Sequence, residues 1–152
     1  PLNKKTILLH PGSHGNGKEW PMESYIELIK NCTDPNCDFV LTGSANENKR
    51  LGQPIQQHCP QAINTMGLLS LPQLMTLIAQ VNGIIASGTG PLHLAAAMGK
   101  PTLGLFPNHK AINATRWGTL GKQGSSIMPD NGKNDMRAIT SKTVHTWINA
   151  QA

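Results

Sequence analysis

The sequence predicts an α/β domain in which a mainly parallel sheet of about six strands is covered by helices on both faces. Short apolar runs alternate along the chain with longer segments whose apolar residues recur at helical spacing. Gly or Pro residues separate the two kinds of segment. The chain has 152 residues and no internal repeat, so we expect residues 1–152 to form a single domain with its own core.

Helix signals organise the first half of the chain. Pro21 opens a helix whose apolar residues share one face. The next helical pattern is weak, and Pro54 is expected to kink or split it. Ser70 and Gln73 have capping-box spacing and open a third helix. In order, the predicted elements are a strand over 6–10, a helix from 21, a strand over 38–42, a weak helix over 45–58, a strand over 62–66 and a helix over 71–80.

The second half continues the alternation. Pro91 suits the first turn of a short helix, where its missing N–H costs nothing, and Gly99 can end that helix. Residues 107–124 are rich in Gly, Asn and Thr and predict a long loop, which often signals function. Thr140 begins a last helix. The strands predicted in this half cover 84–86, 102–106 and 125–128.

The predicted topology places three loops at one edge of the sheet. Right-handed crossovers put the loops that follow parallel strands along the same edge. Ligands bind outside those carboxyl ends, near the point where the strand order reverses. We therefore expect the loops after His10, before Ser44 and around Gly88 to meet there.

The charge distribution allows two interpretations. Thirteen Lys and Arg residues against eight Asp and Glu residues give a net charge of +5. Residues 48–129 contain six basic residues and no acidic residue, which fits either a basic surface that keeps the domain soluble or a site for an anionic ligand. Nucleic acid is disfavoured as a partner because aromatic residues are few and the basic residues are dispersed.

The cysteines and the hydropathy of the sequence indicate the cellular compartment in which the protein is expected. Cys32, Cys37 and Cys59 show no CxxC spacing and are expected to be reduced thiols of a cytoplasmic protein. No apolar run approaches the roughly 18 residues of a transmembrane helix. The chain begins at Pro1, directly before a strand, so we expect a fragment of a longer protein.

Two glycine-rich loops could hold a phosphate. In the loop of residues 88–90, backbone N–H groups and the Thr89 hydroxyl can approach a diphosphate, and His93 one turn later can donate to it. The alternative is a His93 that packs beside the sheet. The loop from Gly12 to Lys18 can cradle an anion while Lys18 neutralises its charge. The alternative is a surface loop with a solvated lysine.

Other candidate residues are weaker. Ser13 and His14 lack a third group to orient them as a nucleophile and base. Glu47 can accept bonds from a ribose or sugar hydroxyl, or can be an acid favoured by a helix dipole. His10 at the end of the first strand can be structural or functional. Three tryptophans are predicted to be packing residues: Trp20, Trp117 and Trp147.

Several common site motifs are absent from the sequence. There is no GxxxxGK[ST] phosphate loop, and the segment GTGPLH lacks the third glycine of GxGxxG and a later ribose-binding acid. No Asp-x-Asp pair and no His/Cys/Asp cluster has metal-ligand spacing, so no metal site is predicted. A bound anion is therefore better supported than a complete reaction centre.

Four motifs together resemble glycosyltransferase family 9, the family of lipopolysaccharide heptosyltransferases. They are HPGSHGNGKEWP (10–21), LTGSANE (41–47), LLSLPQLMTLIAQ (68–80) and SGTGPLHLAAAMGKPTLGLF (87–106). The resemblance implies the second Rossmann-like domain of a GT-B enzyme, which holds a nucleotide-diphospho-sugar, typically ADP-heptose. In such enzymes the N-terminal half holds the acceptor and the catalytic carboxylate.

The resemblance also implies roles for individual residues. Lys18 would contact the diphosphate or the sugar, and it and His93 are the candidate stabilisers of the leaving group. Leu69 falls where the family lines the adenine pocket. Gly88 stands where many members have Asp. Asn46 or Glu47 falls near the ribose-binding acid. The implied donor-binding set is Ser13, Lys18, Asn46, Glu47, Leu69, Gly88, Thr89, Gly90 and His93.

The expected function follows from the resemblance. The chain would be the donor-binding domain of an inverting, metal-independent glycosyltransferase that transfers heptose from ADP-heptose to a lipopolysaccharide core at the cytoplasmic membrane face. Without the acceptor domain it would bind ADP weakly and would not turn over, and no cofactor is needed. Three alternatives remain: a GT-B domain for another donor such as a UDP-sugar, a nicotinamide-binding domain, or a noncatalytic nucleotide-binding module.

Overall fold

The chain forms a six-stranded parallel sheet in the order β3-β2-β1-β4-β5-β6. The computed structural model describes residues 3–13, 18–87, 90–107, 123–129 and 135–151. The strands are β1 (Lys5–His10), β2 (Cys37–Leu41), β3 (Ile63–Asn64), β4 (Gly83–Ala86), β5 (Thr102–Leu105) and β6 (Gly124–Ile127). The helices are α1 (Met22–Lys30), α2 (Ala45–Glu47), α3 (Gln53–His58), α4 (Leu71–Gln80), α5 (Gly90–Ala97) and α6 (Ser141–Asn149). The predicted fold class is confirmed.

Strand β1 is the centre of the sheet and separates two cores. Its residues Ile7, Leu8 and Leu9 are fully buried. Ile7 and Leu9 belong to the larger core, which α1, α3 and α6 cover, whereas Leu8 belongs to the core beneath α4 and α5. Successive residues of a strand point to opposite faces, so both faces of β1 must be apolar. Complete burial of each such side chain contributes about 1.5–3 kcal/mol.

Tryptophan packing joins distant parts of the chain. Trp20 lies directly before α1, and its indole Nε1 donates a hydrogen bond of 2.8 Å to the carbonyl of Ile139. Its ring meets Tyr25 edge-on, with ring centroids 4.8 Å apart. Trp147 of α6 packs against the larger core beside Gly83. The predicted packing roles of both tryptophans are confirmed, and Trp117 lies outside the described residues.

The helical region between β2 and β3 is split, as Pro54 predicts. It runs from α2 through a π-helical segment, Asn48–Gly52, into α3. Pro54 lies in the first turn of α3, where it has no N–H to donate. Its ring also disfavours the regular α-helical position of the carbonyl four residues earlier, at Arg50, and the wider π turn avoids that conflict.

Local hydrogen bonds set the other element ends. Ser70 and Gln73 form the predicted capping box at the start of α4. Strand β3 is shorter than predicted, since only Ile63 and Asn64 pair in register with β2 before the chain turns towards Gly67. A short 3₁₀ helix at Met136–Ala138 was not predicted. Most of the predicted loop over 107–124 lies outside the described residues.

No helix in the described ranges combines the length and the apolar character that crossing a membrane requires.

Two glycines with positive φ permit a matched test of the fold. Gly67 has φ +77°, and a Cβ there would lie 2.9 Å from the Ala45 Cα, whereas Gly99 has φ +75° with no atom within 4 Å of such a Cβ. Gly99→Ala should therefore lower the free energy of unfolding only by the left-handed strain, about 1–2 kcal/mol. Gly67→Ala should lower it further, because the Ala45 backbone must also move.

Urea unfolding of the two variants measures the difference. Equal losses would show that the backbone at Ala45 yields without cost, which would contradict the tight packing described for this turn.

Candidate functional site

The site begins where three neighbouring strands end. His10, the last residue of β1, lies opposite Ala86 of β4. On its other side, His10 Nδ1 and Thr42 Oγ1 form a buried hydrogen bond of 2.9 Å. The Thr42 N–H donates to the Leu9 carbonyl at 3.0 Å. The loops after β1, β2 and β4 therefore start at one edge, where the strand order reverses, as the predicted topology requires.

A buried carboxylate joins the first two loops. Glu47 is only 5% exposed, and its Oε1 accepts the Ser44 N–H at 2.9 Å. The Glu47 N–H donates to Ser44 Oγ at 3.1 Å, which completes a capping box. A Cβ at Gly12 would overlap the Glu47 carboxyl group, so the β1 loop can approach this closely only at a glycine. The structure thus shows Glu47 in its helix-capping role.

A second carboxylate closes the glycine-rich loop after β1. Glu19 Oε2 accepts hydrogen bonds from the Ser13 N–H at 2.8 Å and from Ser13 Oγ at 3.3 Å. Arg50 donates to both carboxylate oxygens, from Nη1 to Oε1 at 2.6 Å and from Nη2 to Oε2 at 2.8 Å. We call Ser13, Glu19 and Arg50 the loop clamp. Sequence reasoning missed Arg50, since 31 residues separate it from Glu19 and no local pattern connects them.

Hydrogen bonding decides the charge state of the clamp carboxylate. Partial burial by itself would raise the pKa of Glu19, but hydrogen bonds from Arg50 and Ser13 outweigh it and hold the pKa below its ordinary 4.5. The same contacts raise the pKa of Arg50. Glu19 and Arg50 are therefore both charged at neutral pH.

The two candidate phosphate-contacting groups are the Lys18 ammonium in the loop after β1 and the His93 imidazole on α5. Lys18 is exposed and immediately precedes Glu19, while residues 14–17, with His14, lie outside the described residues. His93 is half-buried on α5, beside Leu92, which packs into the core under that helix. The structure does not join His93 and Lys18 directly by any bond among the described residues.

Helix α5 begins at an exposed glycine, Gly90. A Cβ at Gly90 would meet no atom within 4 Å, and the neighbouring Gly88 and Thr89 lie outside the described residues. The helix follows β4 directly, so its N-terminal N–H groups lie at the same edge as His10 and Thr42. The positive end of a helix dipole favours an anion at such a position.

The nucleoside candidates lie on two neighbouring segments, Asn46 on α2 and Leu69 in the loop after β3. The Gly67 N–H donates to the Gly43 carbonyl at 2.8 Å, which holds the segment after β3 against the loop after β2. Leu69 follows with 37% exposure, and Asn46 is exposed on α2. Exposed apolar and amide groups at one edge suit a base and a ribose better than the enclosed carboxylate of Glu47 does.

Tyr25 is a buried residue close to Ser87 and Glu19. Its side chain is fully buried, and burial raises its pKa, an effect that the neighbouring Ser87 hydroxyl opposes only in part and that Glu19 strengthens. Ser87 is the residue that follows β4 and is itself buried. Tyr25 is therefore a neutral packing residue at physiological pH. Within the described ranges, no three His, Cys, Asp or Glu side chains are grouped to hold a metal ion.

Comparison with known proteins connects this edge to one family. The model of glycosyltransferase family 9 (heptosyltransferase) matches residues 1–144. Lipopolysaccharide heptosyltransferase 2 of Escherichia coli is 33% identical over 101 residues, 63% of this chain and 29% of the relative. Lipopolysaccharide core heptosyltransferase OpsX of Haemophilus influenzae is 27% identical over 121 residues, 78% of this chain and 35% of the relative.

Solved structures support the fold. The E. coli ADP-heptose LPS heptosyltransferase II superposes with a TM-score of 0.78 at 25% identity, covering 99% of this chain and 47% of that one. The E. coli heptosyltransferase WaaC with ADP gives 0.82 at 18% identity, covering 96% and 44%. The chain thus spans about a third of the length of these curated relatives and less than half of these solved chains.

The contact between Gly12 and Glu47 generates a prediction. Gly12→Ala should lower the free energy of unfolding by about 2 kcal/mol or more, because the new methyl group displaces a buried, hydrogen-bonded carboxylate. The double variant Gly12→Ala/Glu47→Ala should lose clearly less than the sum of the two single variants, since removing the carboxylate makes room for the methyl group.

Gly90→Ala is the matched control because its added Cβ meets no atom, and it should leave stability unchanged or raise it. Additive losses for Gly12 and Glu47 in denaturant unfolding would contradict the contact.

The loop clamp predicts an acid-dependent contribution to stability. The pKa of Glu19 is lowered in the folded chain, so its contribution is complete above its ordinary pKa of 4.5 and is lost as the pH falls through the lowered folded value. Wild type should therefore exceed Glu19→Gln in stability above pH 4.5, and the difference should shrink below that pH.

Thermal unfolding across an acidic pH series measures this difference, with Glu27→Gln as the control for loss of an exposed carboxylate. A gap between wild type and Glu19→Gln that does not change with pH would rule out the assigned charge state.

Proposed function

Because the chain belongs to glycosyltransferase family 9, we propose that it is the nucleotide-sugar-binding domain of a heptosyltransferase, the C-terminal half of a two-domain GT-B enzyme. The observation that carries the proposal is the convergence of the loops after β1, β2 and β4 beside the N-terminus of α5. That edge supplies N–H donors and cations without an exposed carboxylate in its centre, as a diphosphate requires.

The donor diphosphate lies, in this proposal, between the α5 N-terminus and the loop that carries Lys18. The Gly90 N–H contacts the phosphates, and Gly88 and Thr89, which lie outside the described residues, are assigned to the same role from the sequence alone. His93 donates from the first turn of α5, and Lys18 neutralises charge from the other side. Ser13 acts at the base of its loop, where its N–H and hydroxyl both bond to Glu19.

The adenosine lies along the loop after β3. Leu69 offers an exposed apolar surface for the base. Asn46 is better placed than Glu47 to meet the ribose hydroxyls, since it is exposed while the Glu47 carboxylate is enclosed by its capping box. Support for an adenine nucleotide comes from related structures, of which one was solved with ADP and one with ADP-2-deoxy-2-fluoro heptose.

The reaction is an inverting sugar transfer without a metal ion. As the bond from the sugar to the diphosphate breaks, charge develops on the leaving diphosphate, and fixed N–H groups, Lys18 and His93 stabilise it in place of a metal. The acceptor hydroxyl loses its proton to a carboxylate of the N-terminal half. The acceptor is a lipopolysaccharide core, a proposal that the names of the relatives support. We infer from this acceptor that the reaction takes place at the cytoplasmic face of the membrane.

Residue 88 favours a second candidate donor. It is a glycine and offers no carboxylate to the sugar hydroxyls, unlike the Asp expected there in many family members. A domain of the same architecture that binds a different nucleotide-sugar, such as a UDP-sugar, would need no acid at this position.

Calorimetric titration with ADP, UDP and NAD in the presence of a chelator tests the proposal. We expect ADP to bind most tightly, and we expect Lys18→Ala to weaken ADP binding about tenfold because a charge-assisted contact to phosphate is lost. Lys142→Ala, which removes an exposed lysine from α6, is the control and should bind like wild type.

Tighter binding of UDP would favour the second candidate. A folded chain that binds none of these nucleotides would refute the donor-binding function altogether.

A further inference from the structure

Arg50 is not among the donor-binding residues that the family resemblance implies. It nevertheless forms two charge-assisted hydrogen bonds to Glu19 in the loop clamp. We propose that Arg50 is a positioning residue for the diphosphate site, which acts by holding the loop that carries Lys18. The inference rests on the proposed function, because it assigns the means by which that site keeps its cation in place.

The clamp geometry fits this role. Arg50 engages both oxygens of Glu19, at 2.6 and 2.8 Å, and the same carboxylate receives the N–H and hydroxyl of Ser13. A planar guanidinium bound through two parallel hydrogen bonds fixes orientation as well as distance. Ser13 and Glu19 flank residues 14–18, so their bond closes that loop at its base, next to Lys18.

Both sides of the clamp are attached to rigid parts of the fold. Arg50 lies in the π-helical segment, directly before the buried Leu51. Glu19 directly precedes Trp20, whose indole is held by the Ile139 carbonyl at 2.8 Å. Arg50 therefore binds a residue, Glu19, whose neighbour Trp20 is held in the core. Lys18, which directly precedes Glu19, is restricted in position by the same contact.

The clamp also controls charge beside Lys18. Glu19 is ionised and its side chain is about one-fifth exposed. Without Arg50, its carboxylate would attract the neighbouring Lys18 ammonium and draw it away from a diphosphate. With Arg50 in place, the negative charge is matched by a cation that lies on the helix side of the loop, and Lys18 keeps its attraction for phosphate.

The test measures ADP affinity by calorimetry in wild type, in the Lys18→Ala variant and in four further variants. Arg50→Gln should weaken ADP binding about tenfold. Arg50→Lys, which keeps the charge but loses the two-pronged contact, should fall between Arg50→Gln and wild type. Lys49→Gln removes the preceding exposed cation of the same segment and should bind like wild type. The fourth, Lys18→Ala/Arg50→Gln, should bind no more weakly than Lys18→Ala alone.

The double variant distinguishes positioning from general damage. If Arg50 acts through Lys18, Arg50→Gln should not lower ADP affinity further in a chain that already carries Lys18→Ala. A merely structural role would lower ADP affinity equally with Lys18 present and with Lys18 replaced. Thermal unfolding of each variant confirms that the chain is folded. If Arg50→Gln is unfolded, Arg50→Lys in the two Lys18 backgrounds gives the same comparison.

The failures of the two proposals are separable. If wild type and Arg50→Gln bind ADP equally well, this inference is overturned and the donor-binding function stands. Equal weakening with and without Lys18 would likewise overturn it. A wild-type chain that is folded and binds no ADP would overturn the proposed function, and the role of Arg50 with it.

Discussion

The pairing of β1 with β2 on one side and β4 on the other is the constraint on which the rest depends. It makes β1 and β4 neighbouring strands whose following helices, α1 and α5, cover opposite faces of the sheet. The connection from β3 to β4 runs through α4, which packs on the same face as α5, and the reversal of strand order between β1 and β4 leaves a gap between helices at the carboxyl ends of these strands. The buried apolar residues of β1 fix the register, since a slip by one residue would exchange its two faces.

Polar contacts beneath the loops convert this edge into an ordered site. His10 bonds to Thr42 across two strands, and Glu47 supports the approach of Gly12. Each contact uses a buried or partly buried group that would be costly to leave unsatisfied, so the loops are held at their bases. A site whose supporting groups are already in position needs little rearrangement when an anion arrives, which preserves binding free energy.

Sequence reasoning succeeded where the signal was local. Capping at Ser70 and the interruption at Pro54 each depend on neighbours within one or two turns, and the structure has both. The early end of β3 was missed because it depends on how the chain beyond Asn64 turns at Gly67, where φ is positive, to contact Gly43. The ion pair of Glu19 with Arg50 joins elements whose approach depends on the complete fold, so no pattern along the chain could indicate it. For the candidate site residues, the sequence did not predict that Ser13 and Glu47 would form hydrogen bonds to neighbouring protein groups.

The π-helical segment determines the direction in which the side chains before it and after it point. Each α-helical residue turns the side-chain direction by about 100°. Asn48–Gly52 adds a residue within its turn, so the part before it and the part after it are out of phase with a continuous α-helix. Glu47 can thus face the loop at Gly12 while Ile55 faces the apolar interior. Deleting a single residue from this segment would therefore turn either Glu47 away from Gly12 or Ile55 away from the core.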